Sequence, residues 1–280
     1  NCGCCGVCWP SRRSTCSNNI RQIALAIHMY HDIYEVLPIS VNYHQSGPNP
    51  SRQLNGKGWI IGILPMVEEQ ALFDEFVPCF EGDIGSRGGL MKMDCREAMG
   101  TELNLLHCPS DASVIGQHID QFQWRRVPVS LTSYKGVIGD TRMGGGSSIH
   151  IGTEPDCHAT VGCNGLFYRS TYQEPIGFHM ITDGLSNTLM VGEDVASHNH
   201  HATAFYCNGD YSSRHAPLNY LPDPPTPRDW WNVISFRSLH PGGAYFAWAD
   251  ASVSFLSEGI DHNIYRALST RAGGETVVVP

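Results

Sequence analysis

Between Ser17 and Tyr34 the chain carries two apolar stripes on one helix, and this constrains the fold more than any other feature. Ile20, Ile23, Ile27, Tyr30 and Tyr34 recur at spacings of three and four, which at about 100° per residue aligns them on one face. Leu25, Met29 and Ile33 recur every four residues on the opposite side. Ser17 or Asn18 can serve as N-cap and Pro38 follows the end, so the spacing predicts a helix over residues 17–34. A helix apolar on two faces is usually covered on two faces. One face meets its own domain. Leu25, Met29 and Ile33 are covered either by the same chain or by another molecule, and they are the candidate assembly interface. His31 falls inside the first stripe and reads as a hydrogen-bonded structural imidazole; His28, three residues earlier, could in principle share a metal with it.

The rest of the chain is rich in turns, with 29 glycines and 17 prolines well dispersed. A second helix is expected to start at Pro65, a residue favoured in a first turn, and to run through Leu72 and Phe73. Strands are expected around Gly165–Phe167, Leu189–Val191, Tyr245–Ala249 and Ser252–Leu256, with Thr276–Val279 as a last one. Gly144–Gly146 reads as a flexible turn and 218–228 as a proline-rich connector. Asp261 caps a last helix through Ile264 and Leu268, stopped by Gly273-Gly274. A helix first and strands after imply an α+β fold with an antiparallel sheet. Residues 1–16 form a Cys-rich N-terminal segment before a domain spanning 17–280. The hairpin at Asp250-Ala251 has one discordant residue. A two-residue type I′ turn wants Asp-Gly, and alanine there is expected to cost about 1 kcal/mol.

Net charge is −9 with few basic residues, a poor match to nucleic acid or an anionic membrane, which need a basic stripe. No run of about 18 apolar residues is present, so no spanning helix is expected. No signal-peptide core is visible, so any export signal is expected upstream of Asn1. Eleven cysteines are many for a cytosolic chain. Cys79, Cys95, Cys108, Cys157, Cys163 and Cys207 read as disulfide partners in an oxidising compartment, which favours an extracellular location. Cys2, Cys4, Cys5 and Cys8 suit either zinc or a cluster, or disulfides between subunits.

Asp183, Ser186 and Asn187 offer hard oxygen ligands in a tight turn, and Glu193 and Asp250 could complete a calcium site if the sheet brings them close. The competing reading is an Asp-Gly turn bonded to its own backbone. His198, His200 and His201 form a candidate transition-metal cluster or a solvated loop. No nucleophile elbow, P-loop, His-Glu-x-x-His or nucleotide fingerprint occurs, so the chain reads as no enzyme.

The motifs resemble one family. Cys16-SNNIRQIALAIHMYHD-Ile33 with Leu37-Pro38 is similar to the start of the "domain of unknown function 1559" proteins, pseudopilin-like surface proteins numerous in planctomycete bacteria. Gly58-Trp59, Leu64-Pro65, Glu69-Gln70, Cys108-Pro-Ser-Asp111, Ser133-Tyr134-Lys-Gly136, Ile181–Thr188 and Gly192-Glu193 follow in the family's order. His240, nine residues and Asp250 resemble its "H-X9-DG" signature, with Ala251 in place of glycine. Leu268–Glu275 resembles its closing motif. The resemblance implies a pilin-like fold, an N-terminal helix packed on an antiparallel sheet with large loop insertions, and structural roles for His240 and Asp250. It implies a structural subunit of an extracellular filament or pilus-like assembly, partnered by itself or by other pilin-like subunits. The alternatives are a minor pseudopilin of a type II secretion system and a monomeric exported metal- or glycan-binding surface protein. The segment before Cys16 departs from the hydrophobic helix usual there.

Overall fold

A computed structural model describes residues 8–43, 54–116, 127–141, 163–199, 201–221 and 235–275, with side chains in the first helix described from Arg12. The readings at Cys2, Cys4, Cys5, Cys157, His200, Gly144–Gly146, Thr276–Val279 and most of the proline-rich connector lie outside these residues.

Helix α1 runs from Cys8 to Tyr34, 27 residues, or about 40 Å at 1.5 Å per residue. It begins well before the predicted cap at Ser17 or Asn18. Pro10 falls in the first turn, where its missing N–H breaks no intrahelical bond, and nothing from Ser11 to Cys16 interrupts a helix. The Cys-rich segment is therefore helical from Cys8. The helix stops at Glu35, whose φ is 60° and whose N–H bonds to His31 O at 2.7 Å, a left-handed terminus.

Short helices follow: α2 (Trp59–Ile63), α3 (Gln70–Phe76) and α4 (Arg96–Gly100). The helix expected from Pro65 is divided. Pro65 lies in a 3-10 turn over Leu64–Val67, left-handed Glu68 (φ 66°) ends it, and α3 starts afresh at Gln70. Strands β1 (Tyr134–Val137), β2 (Leu189–Glu193), β3 (Tyr211–Ser212), β4 (Gly243–Trp248) and β5 (Val253–Ser257) form one sheet in the order β3-β1-β2-β4-β5. Three pairings are antiparallel and β1–β3 is parallel, so the sheet is mixed rather than antiparallel throughout. The fold is α+β. Gly165–Phe167 forms no strand; its three N–H groups bond to Ile138 O and Val137 O without building a ladder. Helix α5 (His262–Ala267) is capped as expected, Asp261 accepting from the N–H groups of Asn263 and Ile264.

Alternation in β4 divides the core. Ala244, Phe246 and Trp248 face a cluster with Leu256, Tyr265 and Leu268 under α5. Tyr245, Ala247 and Ala249 face the larger cluster containing Ile20, Ile23 and Ile27 of α1. In β2 the register shifts between Leu189 and Val191, and the neighbours Met190 and Val191 both join the α1 side, as a bulge allows. Tyr34 departs from the predicted stripe: it is 55% exposed and rests on Tyr30 at 4.4 Å.

The β4–β5 connection differs from the two-residue turn predicted. Ala251 N–H bonds to Trp248 O at 3.0 Å and Trp248 N–H to Ser252 O at 2.9 Å, with Ala251 at φ 65° and Asp250 outside the positive-φ region. This is a three-residue loop, a type I turn followed by one left-handed residue. Only the position of Ala251 needs φ > 0, and Asp250 Oδ1 fixes the bend by accepting from Ser252 N–H (2.9 Å) and Oγ–H (2.6 Å).

Candidate functional site

The buried face of α1 presents Cys16 to the loop after the 3-10 turn Asn104–Leu106, and the two segments are joined by a Cys16–Cys108 disulfide. Asn19, less than a turn further along α1, donates to His107 O (3.0 Å) and Asn104 O (3.3 Å), which fixes this loop against the helix. Tyr134 of β1 donates its hydroxyl to Cys16 O at 3.3 Å. Burial holds the Tyr134 phenol well above the usual tyrosine range, and the Glu193 carboxylate adds to the effect.

Two further side chains converge on the sulfurs. Glu193 ends β2, and His240 precedes β4. His240 Nε2 lies 3.2 Å from Glu193 Oε1 and 3.6 Å from Cys108 Sγ. Glu193 Oε2 accepts Tyr245 N–H at 2.8 Å, whereas buried Oε1 accepts no hydrogen bond despite facing the imidazole. Cys16, Cys108, Glu193 and His240 are all buried, with one ligand atom each within 4.8 Å of the others; among the described residues this is the one such group of three or more His, Cys, Asp or Glu. The chain order places these four in different motifs, and only the fold gathers them. Thiol–disulfide chemistry and metal ligation are what such a donor set can support.

Behind it lies a buried charge network. Lys135 of β1 sits 2.9 Å from Asp194, and Arg237 lies 3.6 Å from the same carboxylate, all three nearly or wholly inaccessible. Desolvation pulls the Lys135 ammonium below the usual lysine range even though Asp194 opposes it. Arg214 is a second buried cation, enclosed by the rings of Phe236, Phe246 and Tyr265 and donating to Tyr265 O at 3.0 Å. Burial lowers its pKa to about 10.

The candidate calcium ligands are not gathered into one group. Asp183 accepts the N–H groups of Gly273 (2.7 Å) and Gly274 (2.9 Å), tying its turn to the segment after α5. Asn187 donates to Asp183 O (3.0 Å), the backbone-bonded turn that was the competing reading. Asp250 is engaged by Ser252, and Glu193 belongs with His240. Ser186 is exposed in the turn. His31 is hydrogen-bonded as expected, though only partly buried: Nε2 accepts Phe178 N–H at 3.2 Å and the ring stacks on Phe178 at 4.1 Å. His28 bonds to Ala249 O at 2.8 Å, so the two imidazoles grip neighbouring loops. His201 bonds to Asn208.

Of the dispersed cysteines, Cys79 and Cys95 are joined, Cys108 joins Cys16 from the N-terminal set, and Cys163 and Cys207 are buried. Sequence reasoning missed the Cys16–Cys108–Glu193–His240 convergence. The available signal was that each member lies in one of the motifs that carry the resemblance.

Leu25, Met29 and Ile33 are 49%, 51% and 63% exposed. The described part of the chain leaves them uncovered. No described helix is long and apolar enough to cross a membrane. Neither the curated proteins nor the solved structures give a match. The family model described as "Protein of unknown function (DUF1559)" matches residues 10–263, which contain all four clustered side chains and all but the first two residues of α1, and the chain belongs to that family.

Proposed function

We propose that this protein is a structural, non-catalytic subunit of an extracellular filament or pilus-like surface assembly, and that it self-associates through α1. The exposed stripe Leu25, Met29, Ile33 carries this reading. Three large apolar side chains at i, i+4 and i+8 stand on a helix whose other face is sealed in the core. Each keeps about half of its surface available for burial, worth about 1 kcal/mol apiece. Removing all three weakens association by about 3 kcal/mol, roughly a hundredfold. The Cys16–Cys108 and Cys79–Cys95 disulfides support an oxidising, extracellular setting.

Concentration-dependent light scattering and electron microscopy of the full chain test the reading. Fibres from the unaltered protein, lost in Leu25→Ser/Met29→Ser/Ile33→Ser with an unchanged melting curve, are the expected result. A monodisperse monomer at every concentration, or the same fibres from the variant, overturns it.

A further inference from the structure

The four buried donors at the root of α1 are more than a disulfide needs. A disulfide is complete with two sulfurs, and an adjacent imidazole and carboxylate add burial cost without adding strength. Glu193 Oε1 in particular is buried with the His240 imidazole 3.2 Å away but accepts no hydrogen bond, and a buried acceptor left so costs about 1–3 kcal/mol unless something else occupies its lone pairs.

The distances suggest what that is. In a tetrahedral zinc site with bonds of about 2.3 Å to sulfur and about 2.0 Å to nitrogen and oxygen, the sulfur–nitrogen edge is about 3.5 Å and the nitrogen–oxygen edge about 3.3 Å. Cys108 Sγ to His240 Nε2 is 3.6 Å, and His240 Nε2 to Glu193 Oε1 is 3.2 Å. Two edges of the tetrahedron are thus present, and the four donor atoms lie within 4.8 Å of one another. The supporting shell is also in place. Glu193 Oε2 is held by Tyr245 N–H (2.8 Å), the Cys108 N–H by Ser133 Oγ (3.0 Å), and His240 Nδ1 faces Ser110 Oγ at 3.5 Å. Such contacts fix ligand orientation in metal sites. Clefts lined by Asn19, Leu105 and Cys108 on one side and by Ser238, His240 and Pro241 on the other lead toward the cluster.

We infer that Cys16, Cys108, His240 and Glu193 form a tetrahedral Zn²⁺ site in the dithiol form of the chain, so that metal and disulfide are alternative locks between α1 and the sheet. Two thiolates and one carboxylate around Zn²⁺ leave one net negative charge. The neighbouring Lys135–Asp194–Arg237 group carries one net positive charge, and the backbone N–H of Arg237 donates to the backbone carbonyl of Glu193 at 3.0 Å, which keeps the two groups side by side. Metal binding displaces the two thiol protons. Exchange with a disulfide oxidant instead forms the Cys16–Cys108 bond, the oxidant taking both electrons and both protons and leaving as two thiols, with Zn²⁺ released if it was bound. The inference stands apart from self-association, since either lock holds α1 in place.

The test uses the full chain with Cys2, Cys4, Cys5 and Cys8 each replaced by serine, reduced with a phosphine and titrated with Co²⁺ as the spectroscopic probe. One Co²⁺ per chain is expected, with thiolate-to-cobalt charge transfer and the intense visible bands of tetrahedral coordination, all abolished by Zn²⁺. His240→Ala and Glu193→Gln are expected to weaken binding at least tenfold, and the oxidised chain to show no charge-transfer band. Absence of that band in the reduced chain, or unchanged spectra and affinity in His240→Ala, overturns the inference. Alkylation of the reduced chain with every ligand intact provides a second readout. Zn²⁺ should slow modification of Cys16 and Cys108 at least tenfold, and equal rates with and without the ion overturn the proposal even if the variants fail to fold.

Discussion

Asp194→Asn should be among the most damaging conservative changes in this protein, and a second substitution should partly repair it. The Asp194 carboxylate is inaccessible and stands between two buried cations, 2.9 Å from Lys135 Nζ and 3.6 Å from Arg237 Nη1. Asn199 adds a hydrogen bond at 2.9 Å. The amide keeps the shape but removes the negative charge that stands between two positive ones. Breaking a buried ion pair by neutralising one partner costs about 3–5 kcal/mol, because the remaining charge is left in a medium that solvates it poorly. For a chain of this size that lowers the melting temperature by roughly 10 °C.

Lys135→Met alone is also expected to destabilise, by less, since Asp194 retains Arg237. In the Asp194→Asn background its sign reverses: removing one of two buried cations that have lost their shared carboxylate raises stability, a coupling of about 2 kcal/mol or more. Urea denaturation of the four-member cycle, followed by tryptophan fluorescence at constant m-value, measures this coupling. Proton linkage provides an independent check. Lys135 is already held below its ordinary pKa by burial, and Asp194 is the largest influence opposing that. Without Asp194 the folded chain sheds the Lys135 proton more readily than the unfolded chain, so Asp194→Asn gains stability as pH rises from 7 toward 10. Additive costs across the cycle, or an Asp194→Asn penalty under about 1 kcal/mol, would refute the reasoning.

Ala251→Gly should leave the melting temperature almost unchanged. Relief of about 1–2 kcal/mol at φ 65° is offset by a buried methyl worth about 0.8 kcal/mol and by about 0.4–1 kcal/mol of extra freedom in the unfolded chain. Ala251→Val, branched at a left-handed position, should lose stability clearly; equal melting of all three would mean that the turn is not left-handed in solution. Acid should weaken the fold through two histidines. Desolvation lowers the pKa of both His31 and His198 below the usual 6.5, so their neutral forms contribute stability that is fully present above about pH 6.5 and declines as pH falls through the folded values. His31→Gln, which keeps a side-chain acceptor for the Phe178 N–H, should flatten part of that decline in urea titrations between pH 7 and 5.

What was legible in the sequence follows from how local each signal is. The face of α1 built on Ile20, Ile23 and Ile27, the strands expected at Tyr245–Ala249 and Ser252–Leu256 and the Asp261 cap each depend on residues a few positions apart, and all are present. The start of α1 lies earlier than its local signals indicate, because Ser17 and Asn18 are good caps in isolation, while Pro10 is compatible with helix only in a first turn. The hairpin was misjudged by one residue because Asp250-Ala251 fits a type I turn followed by a left-handed residue better than it fits a type I′ turn. The charge of Glu193 alone suits calcium, and no local rule indicates that a register shift in β2 precedes it or that His240 comes to lie against it. Lys135 inside Tyr134-Lys-Gly136 carries a signal that is legible in part: a lysine within a buried strand needs a carboxylate, and Asp194 is the residue just past the paired strand.

These contacts bear on how the exposed stripe can act. Along one side α1 is tied at successive levels, by Cys16 to Cys108, Asn19 to the Asn104–His107 turn, His28 to Ala249 and His31 to Phe178. Leu25, Met29 and Ile33 sit on the far side of the same turns. A helix fastened this way presents its exposed side chains in a fixed spacing, so little backbone order remains to be lost when a second surface covers them, and lost order is a main opposing contribution to association. The lock at Cys16 lies about two and a half turns before Leu25. Opening it should therefore loosen the near end of the stripe before the far end, where the two histidines still hold.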